Sequence, residues 1–237
     1  MNLAIDFGNT SGKAAVFDGD TLVQHYPTVS LDTLGPIMDE HAIKHAIISS
    51  TGMSSADIAV NLSIPAIELS ANTPLPFALA YDTPHTLGTD RIAAVAGASF
   101  IFPHHNCLVI DAGTCITYDV LADITYVGGA TSPGLTMRFK ALNTFTSRLP
   151  LLTLADKIDL VGKSTNGSIN SGVALGMLSE VEGMIEQYCQ KFGDLKVLIC
   201  GGDHNFFENK LKASIFAAPE LVLKGLNGIL LYNVSND

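Results

Sequence analysis

Charge is scarce in this sequence: Asp, Glu, Lys and Arg make up 15% of its 237 residues, against about 25% in an average soluble domain, while 47% of the residues are hydrophobic. That balance excludes intrinsic disorder. Positive charge is scarcer still, with 13 Lys and Arg against 23 Asp and Glu and a formal net charge of -10. The chain therefore lacks the cationic field that draws nucleic acid or an anionic membrane surface, and neither is expected as a partner. Cysteine is limited to Cys107, Cys115, Cys189 and Cys200, with no C-x-x-C spacing, which argues against a disulfide framework or a zinc ribbon and for reduced, packed thiols. No apolar run approaches the roughly 20 residues of a membrane span; the richest stretch, 92–102, is broken by Gly97 and Ser99. Leu3, Ala4 and Ile5 meet Asp6 at once and no basic segment precedes them, so no export signal is read and a cytoplasmic location is expected. There is no low-complexity segment, and no repeat of about 20 to 50 residues that would make a solenoid.

What is present reads as alternating strands and helices. Strands are expected at 3–7, 13–18, 22–28, 45–50 and 66–69, the first two forming a hairpin, with helices at 32–40, 56–62 and 89–102 and a proline-marked loop around Pro74, Pro76 and Pro84. The order then restarts. Leu3, Ile5, Asp6 and Gly8 are echoed at a constant offset by Leu108, Ile110, Asp111 and Gly113. Strands at 107–112, 116–121, 125–130 and 196–200 and helices at 135–145, within 169–192, at 204–212 and from 224 complete the second half. The pattern implies a duplicated α/β architecture, with domains at 1–105 and 106–237. In the long helix Met177, Val181, Met184, Ile185 and Tyr188 recur at helical spacing, a stripe that suits either a packed core or a dimer face.

Two strand-end turns carry the chemistry. In residues 6–13, Asp6 ends a strand and Phe7, Gly8, Asn9, Thr10, Ser11, Gly12 and Lys13 follow. Glycine allows the φ > 0 conformations that aim backbone N–H groups inward, Lys13 adds a point charge, and Asp6 can hold magnesium through water. Taken alone, the turn is also compatible with an ordinary hairpin. Asp111, Ala112, Gly113 and Thr114 repeat it, and two such turns facing one another can enclose a phosphate chain. Gly201-Gly202-Asp203 after an apolar strand is a third turn of interest.

The duplicated turns resemble those of the superfamily that includes actin, sugar kinases and heat-shock chaperone ATPases, which implies duplicated ribonuclease-H-like domains clasping nucleotide. Gly201-Gly202-Asp203 resembles that superfamily's adenosine turn. Within it, the chain is most similar to the type III pantothenate kinases. Their D-x-G-N-T-x-x-K pattern stands intact at 6–13. Tyr81, Pro84, Leu87 and Gly88-Thr89-Asp90-Arg91 resemble their substrate segment. Gly128-Gly129, Pro133-Gly134-Leu135, Leu149-Pro150 and Gly162-Lys163-Ser164-Thr165 follow in order. The resemblance implies ATP-dependent phosphorylation of pantothenate at the start of coenzyme A synthesis, with ATP held by residues 6–13 and Thr114. It implies Asp90 as catalytic base, and pantothenate contacts from Tyr81, Gly88, Thr89, Asp90, Arg91 and Thr165. It also implies potassium or ammonium at Asp111 beside the phosphates, magnesium at Asp6, and a homodimer in which Thr165 reaches the partner's site. Cys115 and Cys200 stand where alanine and threonine are common in that family.

The residues themselves fit these roles. An aspartate can accept the proton of an attacking hydroxyl, although Asp90 also suits a helix start. A guanidinium such as that of Arg91 can grip a carboxylate with two parallel hydrogen bonds, which lysine cannot. Other signals lead nowhere: Gly162-Lys163-Ser164-Thr165 imitates a Walker A ending, but Lys157 stands where that loop needs glycine. His104, His105 and Cys107 lack a second cluster to complete a metal site, and there is no Gly-x-Ser-x-Gly elbow. Two rivals remain, another small-molecule kinase of the superfamily and a nucleotide-gated module that transfers nothing.

Overall fold

Alternation of buried residues along two adjacent segments builds the first hairpin. Strand β1 (Asn2–Phe7) pairs antiparallel with β2 (Gly12–Asp18), setting Asp6 opposite Lys13 and Phe7 opposite Gly12. The computed structural model describes residues 1–8, 12–208 and 210–235. The expected phosphate-turn residues Asn9, Thr10 and Ser11 lie outside the described residues. Strand β3 (Thr21–Val29) continues the antiparallel run, whereas β4 (His45–Ser50) and β5 (Ala66–Glu68) add in parallel, giving the order β3-β2-β1-β4-β5. Leu3, Ile5, Phe7, Val16 and Ile48 pack there with Leu34 of helix α1 (Leu31–Glu40) and Ile58 of α2 (Ser55–Ala59).

The second sheet contains β7 (Cys107–Ala112), β8 (Cys115–Ala122), β9 (Thr125–Pro133), β10 (Lys196–Cys200) and β11 (Phe216–Ala217), with the two-residue β6 (Ala78–Leu79) at one edge. Its order is β11-β10-β7-β8-β9-β6. Read from the other end and without β6, this repeats the first sheet strand for strand. The α/β duplication expected from the paired Leu-x-Ile-Asp-x-Gly segments is thus present as sheet topology.

Two compact units form, neither continuous in sequence: residues 1–107, 119–128 and 220–237 make one, and 108–118 and 129–219 the other. In the first, helix α3 (Thr89–Ile101) packs closely on the terminal helix α8 (Leu221–Val234) through small residues. A Cβ on Gly225 would run into the Ala93 carbonyl, and one on Gly97 into Leu221. Asn227 of α8 is buried, accepting from Asn2 Nδ2 at 3.0 Å and donating to the Gly19 carbonyl at 2.9 Å.

In the second unit, α4 (Leu135–Thr144) is followed by α5 (Thr165–Asn170), a π turn (Ser171–Leu175) and α6 (Gly176–Phe192) in one helical run. Met177, Val181 and Ile185 are buried, so the apolar stripe of α6 serves the core. The helix expected at 204–212 is much shorter: α7 covers only His204–Phe207 and Glu208 turns extended. Phe206 and Phe207, the last two residues of α7, are both buried, their rings edge-to-face at 5.0 Å. All four cysteines are free thiols, Cys107 and Cys200 buried. No helix among the described residues is long and apolar enough to cross a membrane.

Candidate active site

Sheet register assembles the first group of polar residues. The parallel pairing of β1 with β4 sets Asp6 beside Ser49, while the antiparallel pairing with β2 sets it beside Lys13. Ser49, fully buried, donates its hydroxyl to Asp6 Oδ1 at 2.9 Å, and its Oγ lies 3.0 Å from Thr89 Oγ1 at the start of α3. One hydroxyl thus joins the strand end to the helix carrying Asp90 and Arg91. Burial pushes the Asp6 carboxyl up to about 6; the Ser49 hydrogen bond opposes the rise and the Asp90 charge adds to it. Burial raises Asp90 as well, against the pull of the Arg91 backbone N–H, which donates to Asp90 Oδ1 at 2.8 Å. Gly88 precedes the helix where a Cβ would strike the Asp90 carboxylate. Gly12 likewise leaves no room for a Cβ against Phe7 and the Val29 carbonyl.

Strand β6 positions the next pair. Ala78 and Leu79 pair with Thr125 and Tyr126, and the Ala80 N–H bonds the Tyr126 carbonyl at 2.9 Å, so the Tyr81 ring comes to 6.1 Å from that of Tyr126. Gly128, at φ 105°, passes beneath Tyr81 in a conformation that favours glycine. Tyr126 donates its hydroxyl to Asp119 Oδ1 at 2.7 Å, and Arg91 Nε donates to the same oxygen at 2.9 Å. Arg91 Nη2 lies 2.8 Å from that oxygen, close enough for an ion pair though off line for a hydrogen bond. Asp119 is completely buried.

The first unit therefore brings together Asp6, Thr89, Asp90 and Arg91, and places Tyr81 beside the Tyr126 that holds Asp119. Sequence reasoning missed Ser49, Asp119 and Tyr126. A signal existed for Asp119, a carboxylate inside an expected strand, 116–121, that is otherwise largely apolar. For Ser49 there was none, since a small hydroxyl is unremarkable at a strand end.

In the second unit, Asp111 is the penultimate residue of β7 and Thr114 is exposed in the turn before β8. The Gly113 N–H bonds the Cys115 carbonyl, and the Gly134 N–H bonds the Thr114 carbonyl at 3.1 Å. Gly134 sits so close that a Cβ would collide with the Gly113 and Thr114 carbonyls. Gly201, at φ 86°, crosses the same strand end, where a Cβ would meet Ala112 O and the Asp111 carboxylate, whereas Gly202 has open space around it. The Asp203 N–H bonds Ala112 O at 2.8 Å and joins β10's turn to β7. Thr165 lies elsewhere in this unit, on a groove of about 780 Å³ lined mainly by apolar residues of α4 and the α5 run, among them Leu142, Ile169 and Val173. Ser164 caps α5, its Oγ accepting from the Gly167 N–H at 3.1 Å, and Gly162 packs on the Gly167–Ser168 backbone. The apparent Walker ending is a helix-capping turn.

Known proteins resemble the chain in fold and in sequence. The solved structure of a conserved putative Baf family transcriptional activator from Campylobacter jejuni matches with a TM-score of 0.66 at 21% identity, covering 99% of this chain and 100% of that one. That of (R)-2-hydroxyglutaryl-CoA dehydratase component A from Acidaminococcus fermentans matches at 0.54 and 15% identity, covering 98% and 96%. A putative sugar kinase from Cytophaga hutchinsonii matches at 0.54 and 10% identity, covering 98% and 99%. At these identities the likeness is one of fold alone. In sequence, the type III pantothenate kinase of Phocaeicola vulgatus is 46% identical over 239 residues, covering 98% of this chain and 99% of its own. That of Cytophaga hutchinsonii is 44% identical over 237 residues, covering 99% and 100%. The family model described as type III pantothenate kinase matches residues 2–187, a span that contains every residue of the two polar groups except the Gly201 turn. By sequence along almost its whole length, this chain belongs to the type III pantothenate kinase family.

Proposed function

We infer that the chain uses ATP to phosphorylate pantothenate to 4'-phosphopantothenate, the first step of coenzyme A biosynthesis. The observation that carries this reading, in a member of this family, is the joining of Asp6 to the first turn of α3 through Ser49 and Thr89. It ties a cation-holding carboxylate to a candidate base. In the reaction Asp90 accepts the proton of the primary hydroxyl as its oxygen attacks the γ-phosphorus. The bond from phosphorus to the β–γ bridging oxygen breaks and ADP leaves. The raised affinity of Asp90 for a proton suits that task. Gly88, Thr89 and Tyr81 line the acid's path and Arg91 takes its carboxylate.

ATP belongs with residues 6–13 and Thr114. The residues fit the cations the reaction uses: Asp6 and Asp90 are neighbouring carboxylates that burial makes reluctant to ionise alone, a donor set suited to magnesium through water. At Asp111, a carboxylate oxygen and the Ala112 carbonyl come together against Gly201, oxygen donors suited to potassium or ammonium. Held there, the cations would neutralise charge on the phosphates. With a net charge of -10 the chain depends on them.

A homodimer is part of the same reading. The Thr165 groove is mostly apolar, and Phe145, Leu151, Leu160 and Val161 of the same unit are exposed, which suits a second copy whose site Thr165 would complete. A cytoplasmic location follows from the activity, and a duplication boundary at 105 and 106 fits the start of β7 at Cys107. The test is a coupled assay with ATP, magnesium and a panel of hydroxy acids and sugars, with and without potassium or ammonium. The expected result is turnover of pantothenate that requires the monovalent cation; turnover of a sugar instead, or none at all, overturns the reading.

A further inference from the structure

Arg91 does not stand alone, and its surroundings are more elaborate than an ion pair needs. Its Nε and Nη2 both face a single oxygen of Asp119, side-on, at 2.9 and 2.8 Å. The Tyr126 hydroxyl donates to that same oxygen at 2.7 Å, and the Tyr126 ring lies against Tyr81, 6.1 Å between centroids and tilted by 48°. Arg91 Nη1 has no protein partner among the described residues. Asp119 is fully buried and Tyr126 is too, so neither meets solvent or a ligand directly. A guanidinium and a carboxylate can also meet as a fork of two parallel hydrogen bonds, one to each oxygen. Here the Nε edge of Arg91 is given to one oxygen of Asp119, which leaves the Nη1 end for another acceptor.

We propose that Asp119 and Tyr126 are positioning residues that hold Arg91 in the orientation that selects a carboxylate-bearing substrate. The inference rests on the assignment of Arg91 to the substrate carboxylate made above. An arginine side chain has several rotatable bonds, and holding it before substrate arrives removes part of the ordering cost of binding. Asp119 supplies the counter-charge and Tyr126 fixes the carboxylate's own rotation. Through its ring, Tyr126 also ties this orientation to Tyr81, the other substrate side chain of the unit. Specificity for the acid then comes from geometry rather than from net positive charge, because the Arg91 charge is already balanced.

The experiment compares pantothenate with its primary amide, which matches the acid in shape and carries no charge, on the wild type and on Tyr126→Phe and Asp119→Asn. Wild type is expected to prefer the acid. Tyr126→Phe keeps the ring and loses one hydrogen bond, so KM for the acid rises about fivefold while KM for the amide and both kcat values stay within about twofold. In Asp119→Asn the preference for the acid falls further, by about tenfold or more, because the charge that orients Arg91 is gone. If Asp119→Asn does not fold, judged by its thermal unfolding transition, Tyr126→Phe decides alone. Equal losses for acid and amide, or an unchanged preference in folded variants, overturn the positioning role. A wild type that turns over pantothenate but takes acid and amide alike overturns the Arg91 assignment itself.

Discussion

Ser49 donates its hydroxyl to Asp6 at 2.9 Å from the neighbouring parallel strand, and its oxygen lies 3.0 Å from Thr89 of helix α3. Strand register supplies the first contact and the packing of α3 the second. A hydrogen bond to a charged group contributes about 1.5–3 kcal/mol, and phosphoryl transfer depends on alignment. We expect Ser49→Ala to lower kcat by about tenfold or more with little change in the unfolding midpoint, and Ser49→Thr to recover part of the loss. Steady-state kinetics of the two variants decide it; unchanged kcat in Ser49→Ala removes the link from the mechanism.

Asp6 gives the chain a specific pH dependence. Its carboxyl titrates near 4 when unfolded and is held at about 6 when folded. Between those values the folded chain keeps a proton that the unfolded chain has released. The stabilisation is therefore complete below pH about 4 and is lost as the pH rises through about 6. Up to about 3 kcal/mol is involved, less whatever solvent screens. Urea unfolding between pH 4 and 7 is expected to show this slope in the ligand-free protein, and Asp6→Asn to flatten it. A slope that Asp6→Asn leaves untouched assigns the effect to another group.

Asp90→Asn keeps the shape of the side chain but cannot take the proton. Turnover is expected to fall by about 10²–10⁴-fold, the range for loss of a general base, while calorimetry still detects ATP binding. Retained turnover returns Asp90 to the bland role of an acid favouring the start of α3, where it stands in the first turn.

The α3–α8 contact tolerates no added volume. Gly225→Ala points a methyl group at the Ala93 carbonyl and is expected to cost about 3 kcal/mol in urea unfolding. Gly183→Ala is the contrast: it lies inside α6 with nothing within 4 Å of the new methyl, so a gain of about 0.5–1 kcal/mol is expected. Equal effects at the two positions would mean that close packing is not what Gly225 provides.

Much of this was legible in the residues. The apolar segments at 45–50, 107–112 and 196–200 became strands with those bounds, since short apolar runs bordered by turn residues have few other ways to be buried. Asp6, Thr89, Asp90 and Arg91 were readable because local motifs place them at a strand end and a helix start. The two-residue strands β6 and β11 were not, because two residues carry no periodicity. Nor was the early end of α7 at Phe207, where Glu208 turns extended without a proline or glycine to mark it.

By itself the sequence determined the duplicated strand-turn plan, the family and the residue types at each turn, because these depend on spacing along the chain. Only the tertiary structure decided that Ser49 would meet Thr89 and that Tyr126 and Arg91 would share one oxygen of Asp119. Such contacts join residues tens of positions apart through sheet register and helix packing. A hydroxyl or a phenol carries no mark in the sequence of the partner that burial will oblige it to find.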